Sequence, residues 1–372
     1  MASVRKRTWS SPTGEIKIAW FVDYYDSRGD RQRKHFPTKK AADAFRINIE
    51  SQLQSGVYRP DASKVTVRQA CEGFLIHCEG RHQRDERMTR KMLTVYRGHI
   101  NNHVLHLEIG IGAWKLSQLT AKAVGELRDR IRSAGVTVPT TRKILATLHS
   151  ILEYSISQDW IAANAARSVK VIGPRGEGSE KIIPPSKDEL RRIINAASEW
   201  LRLMIIFAAS TGVRAGEQWA ARWMDVNLDK AELRIARRVD AYGEEGAPKS
   251  TAGVRTIRLS DKLVAALKAW KLKSKFSRPD DLIFPNQQGG YMGHDNLIKR
   301  YFLPLKPSFN WHALRHFAVS TWIEAGLTPK TIQTFAGHAS LQITMDRYGH
   351  LFPSEDHKKA MDQIAKGLAK HI

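Results

Sequence analysis

The stretch His312–Leu351 reads HALRHFAVSTWIEAGLTPKTIQTFAGHASLQITMDRYGHL, and the chain is best understood by working outward from it. His312 and Arg315 are three residues apart, so a helix would set them on one face. Gly337-His338 marks a helix end, and Tyr348 follows one short helix later. Each piece alone has an ordinary explanation. An HxxR pair is more often a surface ion-pair element, and a late tyrosine is more often a packed aromatic with a tethered hydroxyl. The pieces gain weight from what precedes them.

Upstream, Ser186-Lys187-Asp188-Glu189 has the form of a capping box. The helix it starts is expected to bury Leu190, Ile193, Ile194, Ala197, Leu201, Met204 and Ile205. Thr211-Gly212-Val213-Arg214-Ala215-Gly216-Glu217 comes next. Gly212 ends the apolar helix and Arg214 opens another, which joins a bidentate guanidinium to a helix N-terminus, both suited to phosphate. Glu217, one turn on, is placed to orient Arg214. Residues 231–239 and 254–259 read as two strands of a hairpin, with Tyr242-Gly243 to Pro248 as a loose turn. Lys249 stands at the end of that turn, where a lysine can reach a phosphodiester and protonate a leaving oxygen. Lys230 and Lys262 lie in the same region.

Composition says what such a set acts on. The 372 residues suffice for two or three domains, and 60 Lys and Arg against 37 Asp and Glu give a formal charge of +23. That excess points to a polyanion, nucleic acid first, although a generally adhesive basic protein has the same composition. Cys71 and Cys78 are too few for a disulfide framework and fit two buried thiols in one helical segment of a chain kept in a reducing cytoplasm. No apolar run approaches the roughly 18 residues of a membrane span, and the N-terminus lacks a hydrophobic signal core. There is no zinc-like cluster and no GxxxxGK[ST] loop, so neither a metal nor nucleotide hydrolysis is expected.

The rest divides into segments. Residues 1–60 read as a small sheet followed by a helix capped by Thr38, with strands at 15–25 and 31–36. The sheet carries Arg31, Arg33 and Lys34 among other basic residues. A basic sheet can lie in a DNA groove, or it can simply protect an edge from aggregation. Residues 64–170 read as an all-helical module, with helices opened by Thr66, running over 84–103, opened by Thr120, and opened by Thr140 or Thr141. Residues 171–185 have linker composition. Residues 186–372 form the last domain. Its tail, Ser354 onward, is amphipathic through Met361, Ile364, Ala365 and Leu368, which suits packing on its own domain or docking on a neighbouring protomer. The expected fold is multidomain and mainly α, with an N-terminal three-stranded sheet and a mixed, mostly helical last domain.

The ordered series Arg214, Lys249, His312-x-x-Arg315, Gly337-His338 and Tyr348 resembles the active site of the tyrosine recombinases, the phage integrase family. The resemblance is specific over Ser186–Phe352 and looser over the helical module, which looks like that family's core-site DNA-binding domain. The N-terminal sheet resembles the arm-type DNA-binding domain of phage and mobile-element integrases. Phe335-Ala336 stands where Leu-Gly is more usual, and Gln218-Trp219 where two apolar residues are common. The resemblance implies a site-specific recombinase that integrates or excises a mobile element without metal or cofactor. Tyr348 would be the nucleophile forming a 3′-phosphotyrosine, with Arg214, Arg315 and His338 on the phosphate. His312 would accept a proton, Lys249 would act as general acid, and Glu217 would support Arg214. It further implies double-stranded attachment-site DNA as substrate, a homotetramer, a host DNA-bending protein and an excision factor as partners, and a nucleoid-associated, cytoplasmic setting. A type IB topoisomerase shares this chemistry, and an inactive architectural DNA-binding protein shares the fold. The arm-like segment argues against the first and the intact catalytic set against the second.

Overall fold

Alternation of side chains along a strand decides the N-terminal architecture. The computed structural model describes residues 2–10, 16–26, 29–175, 183–248, 250–352 and 365, and the chain divides into two compact units, Met1–Glu177 and Gly178–Ile372. In the first, β1 (Ser3–Ser10), β2 (Ile16–Tyr25) and β3 (Arg31–Phe36) form an antiparallel sheet in that order. Its inner face, with Val4, Trp20, Val22, Tyr24 and Phe36, packs on Ala42, Phe45 and Ile49 of α1 (Lys39–Gln54). Thr38 caps α1, its Oγ1 accepting from the Ala41 N–H at 3.3 Å.

The outer face holds the register row Arg5, Phe21, His35 and, beside it, Ser3, Asp23, Arg33. Arg33 donates from Nε to Asp23 at 2.8 Å and Arg31 lies 3.3 Å from the same carboxylate, while the Arg33 guanidinium lies 4.7 Å over the Phe21 ring. Lys34 has the opposite parity. Its Nζ lies 4.7 Å over the ring of Phe45 on the helix-facing side, so the three basic residues singled out in this sheet do not share a face.

A second core in the same unit belongs to α2 (Val67–Gln83), α3 (Arg90–His99), α4 (Ala121–Ser133) and α5 (Val138–Ser157). Thr66 and Thr120 cap as expected. Two boundaries differ from expectation. The helix expected over 84–103 begins only at Arg90, behind Thr89, because Asp85 and Arg87 adopt left-handed backbone in the preceding turn. The fourth helix opens at Thr137, not Thr140 or Thr141, with Pro139 in its first turn, where its missing N–H costs nothing. Cys71 and Cys78 are buried free thiols of α2.

The second unit starts with α6 (Lys187–Ala196) and α7 (Glu199–Thr211), where one helix was expected. Ala197 is extended, and Arg202 reaches back from α7 to the carbonyls of Ile194 and Ala197, at 3.0 and 3.1 Å, to satisfy the broken end. Ser186 caps α6, but Glu189 does not close the box and binds the Ser308 N–H and hydroxyl, each at 2.9 Å. Then come α8 (Ala215–Ala220) and strands β4 (Val226–Asn227), β5 (Glu232–Ile235), β6 (Arg238–Val239), β7 (Glu245–Gly246) and β8 (Arg255–Arg258). The expected hairpin is real but interrupted, since β5 pairs with β8 and β4 while β6 pairs only with β7. Helices α9 (Asp261–Lys273), α10 (His294–Leu297) and α11 (Ala313–Glu324) complete a core around Leu201, Phe207, Leu233, Ile257, Leu267, Phe284 and Leu314. A smaller core joins α11 to α12 (Pro329–Ala336) and α13 (Leu341–Tyr348) through Val319, Ile323, Ile332, Ala336 and Tyr348. The expected C-terminal amphipathic tail and much of the linker lie outside the described residues. Among the described residues no helix is long and apolar enough to cross a membrane.

Leu148 is wholly buried in the α2–α5 core. Leu148→Ala is expected to destabilise the first unit by about 2–5 kcal/mol in urea unfolding; an unchanged midpoint would show that this core does not hold the module together.

Candidate active site

The last carbonyls of a helix have no partner inside it and carry the negative end of its dipole. Helix α12 stops at Gly337, whose φ of 63° is left-handed. Three successive carbonyls at this end each accept from a different arginine. Phe335 O takes Arg255 Nε at 2.7 Å, Ala336 O takes Arg315 Nη2, and Gly337 O takes Arg214 Nη2 at 3.2 Å. A Cβ at Gly337 would meet Arg255 Nη1 at 3.0 Å, so glycine serves both the turn and the close approach. Helix α7 repeats the device. It ends at Gly212, φ 61°, whose carbonyl accepts from Arg315 Nη1 at 2.7 Å.

Glu217 closes the arrangement. Its Oε1 accepts from Arg214 Nη1 at 2.9 Å, and its Oε2 accepts from the Arg214 N–H at 3.0 Å and from Arg255 Nη2 at 2.8 Å. Glu217 and Arg255 are both buried, while Arg214 stays partly open to solvent. Burial opposes the charge of Glu217, but Arg255 and Arg214 outweigh it and hold the carboxyl below the usual range. Arg315 is buried too. Desolvation, then Arg214 and Arg255, lower its pKa to about 9.

The histidines surround the phenol. His312 is the N-cap residue of α11, exposed, and Arg315 sits in that helix's first turn. His338 is buried. Its Nδ1 lies 2.9 Å from Thr344 Oγ1, and its Nε2 has no partner among the described residues. Burial, then Arg315 and Arg214, push its pKa down to about 3. Tyr348, the last residue of α13, is fully buried, with its ring stacked on His338 at 6.2 Å. Its hydroxyl is 2.6 Å from His316 Nδ1. Burial raises the Tyr348 pKa, and Arg315, Arg347 and Arg214 offset only part of that.

The structure therefore brings Arg214, Glu217, His312, Arg315, His338 and Tyr348 into one cationic site, and Lys249 lies outside the described residues. Residues 186–355 match the model of the phage integrase family. Those residues form a domain of that family, the tyrosine recombinases. A XerC-like tyrosine recombinase of Caldanaerobacter subterraneus is 26% identical, over 89% of this chain and 91% of the relative. The ICEBs1 integrase of Bacillus subtilis is 21% identical, over 93% and 95%. Among solved structures, the Tn1549 transposon integrase in complex with transposon right end DNA has the same fold, with TM-score 0.65 and 15% identity over 81% of this chain and 100% of that one. A lambda integrase tetramer bound to a Holliday junction gives TM-score 0.55 and 18% identity, over 90% and 95%.

Two residues of this phage-integrase site were missed in the sequence. Arg255 alternates with Ile257 and Leu259 along an inward-facing row, and a buried arginine in such a row requires a carboxylate and carbonyl partners. His316 falls one turn after His312, on the same helix face as the residue it follows.

Because Arg255 is buried against Glu217, removing the carboxylate strands a positive charge. Glu217→Ala is expected to lower the stability of the second unit by about 3–5 kcal/mol in thermal or urea unfolding; a loss within error would mean the pair is not the site's support. His338 is held neutral, with a folded pKa below its ordinary 6.5, so the unfolded chain binds protons more readily. Stability of this unit should thus fall as pH drops from about 6.5, and Glu217, whose folded pKa is also lowered, adds a further loss below its ordinary 4.5. His338→Gln should make the stability curve shallower between pH 6 and about 4; an identical acid limb would refute the assignment.

Proposed function

We propose that this chain is a site-specific DNA recombinase that breaks and rejoins strands through a 3′-phosphotyrosine on Tyr348, so as to integrate or excise a mobile element. The observation that carries this reading is a cluster of arginines and neutral histidines around a buried phenol, with Glu217 as its buried carboxylate and, among the described residues, a buried imidazole nitrogen left without a partner. Such a site is short of negative charge, and a phosphodiester supplies it. In this reading, Arg214, Arg315 and His338 Nε2 hold the non-bridging oxygens and stabilise the added charge of the pentavalent transition state. Tyr348 attacks phosphorus, and the 5′-oxygen leaves with a proton from Lys249. Glu217 and Arg255 keep Arg214 in place. The phosphotyrosine conserves the bond energy, so a 5′-hydroxyl of the partner strand can attack it without ATP. The relatives named above are recombinases and integrases, which favours exchange between strands over the relaxation that a type IB topoisomerase performs.

The remaining segments extend the proposal. The sheet of residues 1–60 reads arm-type DNA with its outer face, the helical module 64–170 holds the core site, and 186–372 is the catalytic domain, acting as a homotetramer on attachment sites. A host bending protein and an excision factor suit a mobile-element integrase. The setting is the cytoplasm, where the DNA lies.

A nicked suicide duplex carrying the attachment core of the element tests the central claim. The chain is expected to trap it as a covalent adduct and Tyr348→Phe to trap none; an adduct with the phenylalanine variant sinks the nucleophile assignment. For the arm face, Arg31→Ala with Arg33→Ala should weaken arm-DNA binding and reduce the salt slope by about one per lost phosphate contact. Lys34→Ala should change neither, since Lys34 faces α1. Equal losses from all three would contradict the outer-face reading.

A further inference from the structure

We propose that His316 is the catalytic proton acceptor for Tyr348, a role that the family resemblance gives to His312. The inference rests on the recombinase reading and deepens it. Among the described residues, the Tyr348 hydroxyl bonds to His316 Nδ1, at 2.6 Å, and the phenol is fully buried. His316 directly follows Arg315 on α11, which fixes the acceptor rigidly to a phosphate-binding arginine. His312 meets His316 edge to face, with ring centroids 4.9 Å apart, and is itself open to solvent.

The surroundings set the timing. Facing His316 are His312 and Arg315 from its own helix, and Arg347 with the Tyr348 hydroxyl from α13. Burial and these cations lower its pKa to about 4, so at neutral pH the ring is uncharged; in the proposed role its hydrogen sits on Nε2 and Nδ1 accepts from the phenol. Burial makes Tyr348 a weaker acid than usual, so the proton rests on the phenol. A bound phosphodiester adds negative charge to the same cluster and raises the proton affinity of His316. As the Oη–P bond forms, the Oη–H bond breaks and its proton passes to His316 Nδ1. The P–O5′ bond breaks, and the departing oxygen takes its proton from the general acid. In rejoining, the attacking 5′-hydroxyl gives its proton to that acid's conjugate base, and His316 returns the other to the leaving phenol.

The test uses the full chain and the suicide duplex in single turnover across pH 6–9. His316→Ala should form adduct about 100-fold more slowly or worse, with DNA affinity unchanged. Its rate should climb about tenfold per pH unit where the parent is flat, and added imidazole should restore part of it. His316→Gln, which keeps bulk and polarity but no basicity, repeats the test should the alanine variant fold poorly. An unchanged or faster rate would show that the contact merely restrains the tyrosine. A slower rate without pH dependence or imidazole rescue would show a structural role. The same hydroxide dependence in His312→Ala and not in His316→Ala would return the role to His312. Absence of adduct with the parent chain is a different failure, since it removes the recombinase reading itself, and the proposal with it.

Discussion

Three consecutive carbonyls, Phe335, Ala336 and Gly337, each bound to a different arginine, fix the register of the catalytic unit. The arginines arrive from separate elements, namely the start of β8, the first turn of α11 and the residue before α8. Glu217 of α8 joins two of them, Arg214 and Arg255. The end of α12 gathers all three, because it offers oxygens in a row at the negative end of a helix dipole, each accepting a charge-assisted hydrogen bond. His338 comes next in the chain, so the turn that gathers the arginines also delivers the buried imidazole. Only backbone oxygens are used, which explains why Phe335 and Ala336 stand there without harm to the geometry where Leu-Gly is more usual.

This gathering has an electrostatic cost that shapes the rest of the site. Glu217 is the buried carboxylate among Arg214, Arg255 and Arg315, and the balance rests on carbonyl dipoles. The histidines answer by staying neutral, and Arg315 itself loses proton affinity. All of these shifts run in the direction that an added anion reverses. In the recombinase reading, a phosphodiester entering here gains from every one of them at once, and the same atoms bind it and stabilise its added charge.

Much of this was legible in the sequence, for identifiable reasons. TGVRAGE and the AGH turn announce helix ends through their glycines, and left-handed φ at Gly212 and Gly337 is the physical basis of that signal. Thr38, Thr66, Thr120 and Ser186 cap through short-range bonds that a sequence can encode. What escaped reading depends on distant partners. The break between α6 and α7 stands because Arg202 satisfies its carbonyls, which periodicity does not register. Arg255 is one basic residue among many until its row is seen to face inward. Lys34 looked equivalent to Arg33, although strand parity alone sets them on opposite faces.

The placement of the tyrosine follows from the same logic. A phenol attacks poorly at neutral pH, and burial makes it worse. Tyr348 thus lies neutral against a neutral His316, inside a small core of its own with Val319, Ile323, Ile332 and Ala336. In the recombinase reading, an entering phosphodiester adds negative charge that raises the proton affinity of His316, so the group to be cleaved also strengthens the proposed proton acceptor.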